Sequence, residues 1–249
     1  MTKAHSPWLS TDFWLSEALG KAAFRLSPDV GLLSNQSGQS IEAEKSLHTL
    51  AGENSFIYAK TPVADLAGVA WLQDRGFRLV ETNLQFARSI RPFDGQSSHA
   101  IGFAEPVEEE AVANIAGVSF LSSRFHVDRE IGIDKANELK AAWARNFFKG
   151  LRGHAMIVSR KDATVGGFLL LLKNSTGLTI DLIATDERYR GQGLGREMIS
   201  FAIKSFPEAE RIVVGTQAEN HRSVTFYENL GFRFQSASYT FHRHGYSTT

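Results

Sequence analysis

The chain has 249 residues, enough to bury a sizeable core as one large domain or two modest ones, and no stretch approaches the roughly 18 consecutive apolar residues that a membrane helix needs. Lys plus Arg and Asp plus Glu number 27 each, so a formal net charge of +0 offers no electrostatic footprint for nucleic acid or anionic lipid, and a small-molecule partner is expected. The absence of cysteine excludes disulfides, thiolate catalysis and thiolate metal sites, and suits a reducing cytoplasm.

Near the start, Ser10, Asp12, Ser16 and Glu17 interrupt Trp8, Phe13 and Trp14, so no continuous signal-peptide core forms and a cytoplasmic location is expected. The pattern stays mixed as far as Arg91, apart from two elements. Ala64, Leu66, Ala67, Ala70 and Trp71 predict a helix over 63–75 with Gly76 as its stop, and residues 77–86 read as a strand. Residues 91–99 (RPFDGQSSH) have the composition of a linker, which places a domain boundary there: 1–95 as a smaller N-terminal domain, 96–249 as the main one.

Beyond the linker, apolar spacing predicts amphipathic helices over 107–120 (Val112, Ile115, Ala116) and 135–148 (Ala136, Leu139, Trp143, Phe147). Residues 155–158 and 167–172 read as a hairpin around Lys161 and Asp162, followed by a strand over 178–184. Then come a helix over 193–206, a strand over 211–216, a helix over 220–230, and two short strands near 232–234 and 239–242. Helices, an antiparallel meander and a βαβα unit predict an α/β (α+β) protein with a mostly antiparallel mixed sheet flanked by helices.

The segment 188–195, RYRGQGLG, places three glycines at alternate positions between a strand and a helix. A helix start offers unpaired N–H groups and a positive dipole end, and glycine lets that backbone approach an anion, most often phosphate. Neither familiar nucleotide loop fits. The dinucleotide fingerprint is spaced G-x-G-x-x-G, and the P-loop follows its last glycine with Lys and Ser or Thr. A turn that only reverses the chain is the plainer alternative, and the two flanking arginines, Arg188 and Arg190, speak for a ligand.

Residues 181–195 (DLIATDERYRGQGLG) resemble the central motif of the GNAT superfamily of acetyltransferases, R/Q-x-x-G-x-G/A, here Arg190, Gly193 and Gly195. A proline common three residues before the arginine is Glu187 in this chain. Residues 217–232 (QAENHRSVTFYENLGF) are similar to the superfamily's second motif through Asn220, Ser223, Tyr227, Gly231 and Phe232. The resemblance, which spans about 99–245, implies a GNAT fold and acetyl-CoA as the acyl donor. It implies that Arg190, Gly191, Gln192, Gly193, Leu194, Gly195 and Arg196 hold the coenzyme pyrophosphate. Ile183, Ala184 and Thr185 would lie on a strand splayed to receive the pantetheine arm, with Asn220 and Ser223 also on the coenzyme. Tyr227 would protonate the departing thiolate, since a phenol of pKa about 10 exceeds a thiol at about 8.5; simple packing under the last strands is the alternative.

Residues 76–86 (GFRLVETNLQF), residues 119–126 (SFLSSRFH) and the pair Gln217 and Asn220 look like the bacterial TDP-fucosamine acetyltransferases, which acylate the 4-amino group of a nucleotide-linked sugar. That resemblance implies a nucleotide-linked amino-sugar acceptor. It places Glu81 at the amine and Arg124 and Gln217 on the substrate, and it is compatible with a homodimer. An amino acid, polyamine or protein N-terminus as acceptor, or a non-catalytic coenzyme A sensor, stay open as alternatives. His126 and Asp128 lie two apart and suggest a metal or a proton relay, but without a third ligand at workable spacing no metal is expected. His242 and His244 read as alternating positions on an edge strand.

Overall fold

The structure, a computed structural model, describes residues 8–26, 43–48, 54–91, 99–162 and 164–245. The chain divides into two compact units, one made of residues 1–83 and 236–249, the other of 84–235. This division falls earlier than the one drawn from linker composition, and it returns the C-terminal residues to the first unit. Most of that linker, 92–98, lies outside the described residues.

In the first unit, β1 (Leu9–Thr11) pairs antiparallel with β2 (Ala22–Leu26), which runs parallel to β3 (Ser55–Pro62). Helix α1 (Phe13–Leu19) starts where the Asp12 carboxylate accepts the Leu15 N–H, and stops at Gly20, whose φ of 67° suits glycine at a helix end. Helix α2 (Leu66–Asp74) is capped by Asp65 in the same way and ends before Gly76, as the sequence predicted. β4 (Arg78–Ser89) and β10 (Arg233–His244) begin in one unit and end in the other. β10 is one strand of 12 residues where two short strands were expected. The polar stretch at Gln235, Ser236 and Ser238 reads as a turn only if its neighbours are ignored, and residues 238–244 pair antiparallel with β3 throughout. Leu9, Phe24, Leu26, Ile57, Trp71, Phe77 and Phe241 form this unit's core.

In the second unit, β5 (Ala100–Phe103), β6 (Ala155–Lys161), β7 (Thr164–Lys173) and β8 (Gly177–Thr185) form an antiparallel meander, and β9 (Arg211–Gln217) joins β8 in parallel. Helices α3 (Glu109–Ser119) and α4 (Ile133–Phe148) cover one face, over Met156, Val158, Phe168, Leu170, Leu182 and Ala184. Helices α5 (Leu194–Ser205) and α6 (His221–Asn229) belong to the other core, with Ile157, Leu169, Leu171, Leu178, Ile180 and Val214. No helix of the described residues is long and apolar enough to cross a membrane.

One irregularity positions the site. A strand alternates faces every residue, so positions 178, 180, 182 and 184 should all face one way. Instead Leu178 and Ile180 join the α5/α6 core while Leu182 and Ala184 join the α3/α4 core. The register explains it: Leu171 pairs with Ile180 and Leu170 with Leu182, leaving Asp181 as the extra residue of a β-bulge.

Candidate active site

The bulge also ends a pairing. β8 and β9 pair in parallel from Gly177 and Arg211 up to Ile180 and Val214, and there the register stops, although β8 continues to Thr185 and β9 to Gln217. Past the bulge the two strands part, and a cleft of about 660 Å³ occupies the wedge. It is lined by Ile183, Ala184 and Thr185 of β8, by Gly215, Thr216 and Gln217 of β9, by the loop into α5, and by Asn220, Ser223, Phe226 and Tyr227 of the α6 segment. The splay that the resemblance implied for β8 is thus a property of this sheet.

Asp181 holds the bulge in place. Its two oxygens accept from Arg152 Nε and Nη2, both at 2.6 Å, and Oδ2 also accepts the Trp143 indole N–H at 2.8 Å. A paired guanidinium and carboxylate with a third donor satisfies a largely buried charge, which otherwise would oppose folding.

The glycine loop lies at the open end of the wedge. Gly191 and Gly193 have φ of 78° and 88°, in the region where a side chain is strained, and Gly193 stands at the N-terminus of α5. Gly195 is needed for a different reason: a Cβ there would lie 3.0 Å from the Phe226 ring. The Glu197 N–H donates to the Gly193 C=O, so the amides of Leu194, Gly195 and Arg196 stand at the helix start, ahead of that bond. Arg190, Arg196, Arg222 and Lys140 line the cleft, against Asp181 as the sole acidic lining residue among those described, and that one is neutralised by Arg152. A chain of zero net charge therefore presents a positive cleft, and helix-start amides, a helix dipole and guanidinium groups together fit a diphosphate.

Tyr227 is 4% exposed and stacks among Phe86, Phe226 and Phe232 while lining the cleft. Burial pushes its phenol well above the usual tyrosine value, so it stays protonated at neutral pH. Asn220 and Ser223 line the cleft too, but Asn220 Oδ1 is engaged as the N-cap of α6, accepting the Ser223 N–H at 3.1 Å. The Gln192 side chain accepts from Lys161 Nζ at 2.7 Å and donates to the Arg188 carbonyl at 3.2 Å, outside the cleft lining.

Two expected site residues are not among those lining the cleft. Arg124 does not line the cleft; its guanidinium stacks 4.4 Å from the Phe125 ring centroid. Glu81 belongs to the first unit, buried, where its Oε1 accepts the Thr240 hydroxyl at 3.2 Å. His242 and His244 pack edge-on against Phe56 in that unit.

The structure also brings in residues that sequence reasoning did not single out. Ser119 at the end of α3 and Ser122 and Ser123 of the α3–α4 connection line the cleft, with Lys140 of α4. Lys140 is 8% exposed, and its Nζ lies 4.8 Å and 5.0 Å from the Phe120 and Trp143 rings. A lysine one residue after Leu139, beside the apolar stripe of α4, was the signal available in the sequence.

A sheet that splays over the N-terminus of a glycine-started helix is the arrangement of the GNAT fold. Residues 121–232 match the acetyltransferase (GNAT) family, and the chain carries a GNAT N-acetyltransferase domain there. The chain is similar to the spore coat polysaccharide biosynthesis protein SpsD of Bacillus subtilis, 27% identical over 236 residues that cover 92% of this chain and 80% of that one. Its fold is similar to that of a functionally unknown conserved protein from Staphylococcus epidermidis (TM-score 0.67, 12% identity, 98% of this chain and 93% of the other). It is also similar to a tandem GNAT protein of the clavulanic acid biosynthesis pathway (TM-score 0.60, 13% identity, 90% and 76%).

Proposed function

We propose that the protein transfers an acetyl group from acetyl-CoA to the amine of a nucleotide-linked amino sugar. The observation that carries the donor half is the wedge itself: β8 and β9 part after Ile180 and Val214, and the gap lies beside the N-terminus of α5. The thioester supplies an activated acyl carbon. The protein's own residues do the rest. The amides of Leu194 to Arg196 and the Arg190 and Arg196 guanidiniums bind the diphosphate, and a backbone N–H of the stretch of β8 beyond its pairing with β9, near Thr185, stabilises the oxyanion. Tyr227, kept protonated by burial, gives its proton to the departing sulfur.

The acceptor half draws support from the similarity to a protein named for polysaccharide biosynthesis, over most of both chains, and from the segments 76–86 and 119–126. The positive cleft disfavours a polyamine and suits an acceptor that carries phosphate. No step of this reaction is assigned to Glu81 or Arg124.

The test is thiol release from acetyl-CoA, with a TDP-linked 4-amino-4,6-dideoxyhexose set beside amino acids, polyamines and peptides. Turnover with the sugar alone is the expected result; turnover only with another amine would discard the acceptor. Tyr227→Phe should lower kcat at least about tenfold with coenzyme affinity nearly unchanged, and an undiminished kcat would remove Tyr227 from the chemistry.

A further inference from the structure

Amide formation also needs a group that takes a proton from the acceptor nitrogen. Tyr227, as the proton donor to sulfur, does not do so. Asp181 is committed to Arg152 and Trp143, and Lys140 Nζ faces aromatic rings as a cation does. The α3–α4 connection supplies the missing group.

Ser123 lines the cleft and is 4% exposed. Its Oγ lies 2.7 Å from His126 Nδ1, and His126 Nε2 lies 3.0 Å from Asn137 Oδ1 on α4. An amide oxygen only accepts, so Nε2 carries the imidazole hydrogen and Nδ1 is left with a lone pair that accepts the Ser123 hydroxyl. The turn presets this arrangement, since the His126 and Val127 N–H groups both donate to the Ser123 carbonyl, at 2.8 and 3.2 Å. Hydroxyl, imidazole and orienting amide thus form one chain leading inward from the cleft.

We infer that Ser123, His126 and Asn137 form a proton relay that accepts the proton of the acceptor amine, with Ser123 as the group that touches substrate and Asn137 as a positioning residue. This rests on the transferase reading above. The amine nitrogen attacks the thioester carbonyl carbon, forming the N–C bond as the π pair moves to oxygen. The nitrogen's proton passes to Ser123 Oγ while the hydroxyl proton passes to His126 Nδ1. The carbonyl re-forms, the C–S bond breaks, and sulfur takes the Tyr227 proton. Solvent then removes the proton from His126 and restores the one on Tyr227. The net change is one amide bond made, one C–S bond broken and one proton moved from nitrogen to sulfur.

Burial, and secondarily the nearby Lys140 charge, holds His126 below its ordinary value, against the opposing hydrogen bond to Asn137, so the imidazole is neutral at pH 7. Lys140 is the charged group facing it from α4, and Arg124 and Asp128 flank it on its own loop.

The relay is tested with the full-length protein by the pH profile of kcat/KM for acetyl transfer, beside the Kd for coenzyme A. The wild-type profile should fall on the acid side, below about 6.5. Asn137→Asp places a carboxylate at Nε2, favours the imidazolium, and should move that limb up by about one pH unit. His126→Gln and Ser123→Ala should flatten the limb and lower kcat at least about tenfold, with coenzyme Kd within about twofold of wild type. A purely structural turn would leave the position of the limb unmoved in Asn137→Asp. Transfer that keeps the wild-type limb in all three variants would overturn the relay alone, whereas coenzyme binding without transfer to any amine would overturn the transferase reading and the relay with it.

Discussion

Tyr227 shows how one position serves packing and chemistry together. Its ring fills the core beside Phe86 and Phe232, and the same burial that stabilises the helix keeps the phenol protonated. That has a consequence for stability. The folded phenol ionises at higher pH than the unfolded one, so below about pH 10 both states are neutral and the burial contribution is whole; above it the unfolded chain ionises first and stability falls as pH rises. Tyr227→Phe should therefore retain more of its melting temperature than wild type between about pH 10 and 11, measured by thermal scans across that range. Parallel declines in the two proteins would mean that the phenol is solvated. Tyr227 was legible in the sequence because its motif spacing is local. Ser123 and Asn137 were not: they are 14 residues apart, on a connection and a helix, and only the fold of α4 against that connection brings both to His126.

At the level of the element, β8 decides where the site opens. Its bulge depends on Asp181, whose carboxylate receives three hydrogen bonds, one from Trp143 of α4 and two from Arg152 of the loop that follows it. Asp181→Ala leaves the Arg152 guanidinium without that partner and frees the bulge to slip, so we expect a loss of about 2–3 kcal/mol in urea unfolding, together with weaker coenzyme A binding by calorimetry. Unchanged stability would show that the register is held by the core alone. The strand itself was readable from its apolar run, with bounds within a residue of those found. The bulge was not, because a one-residue slip leaves composition untouched while exchanging the two faces. The same holds for β10, where a polar stretch imitated a turn, and the long pairing with β3 overrode it.

For the whole molecule, the first unit is closed by a strand that arrives last. β10 pairs with β3 from Ser238 and Pro62 through to His244 and Phe56, and Phe241 is fully buried in that unit's core. Ending the chain after Gln235 should therefore uncover the edge of β3 and leave a cavity in place of Phe241. The expected outcome is a loss of amide protection over residues 55–62 in hydrogen exchange. Protection of that strand in the shortened chain would mean that β1, β2 and β3 suffice by themselves. The charge distribution is a property of the same scale: Lys140, the pair Arg190 and Arg196, and Arg222 come from three separate segments, and their meeting around one cleft is invisible in a neutral total.

Local chemistry alone determined the helix starts and stops, the alternation of the meander, and the glycine loop, because backbone freedom and apolar period act over a few residues. The motifs at 188–195 and 217–232 made the coenzyme end of the site readable on the same grounds. Tertiary structure decided what depends on pairing between distant segments: the phase change at Asp181, the parting of β8 from β9, the return of residues 238–244 to β3, and the line from Ser123 through His126 to Asn137. A strand's register and a cleft's charge are set by partners far along the chain, and local propensity carries no record of which partner wins.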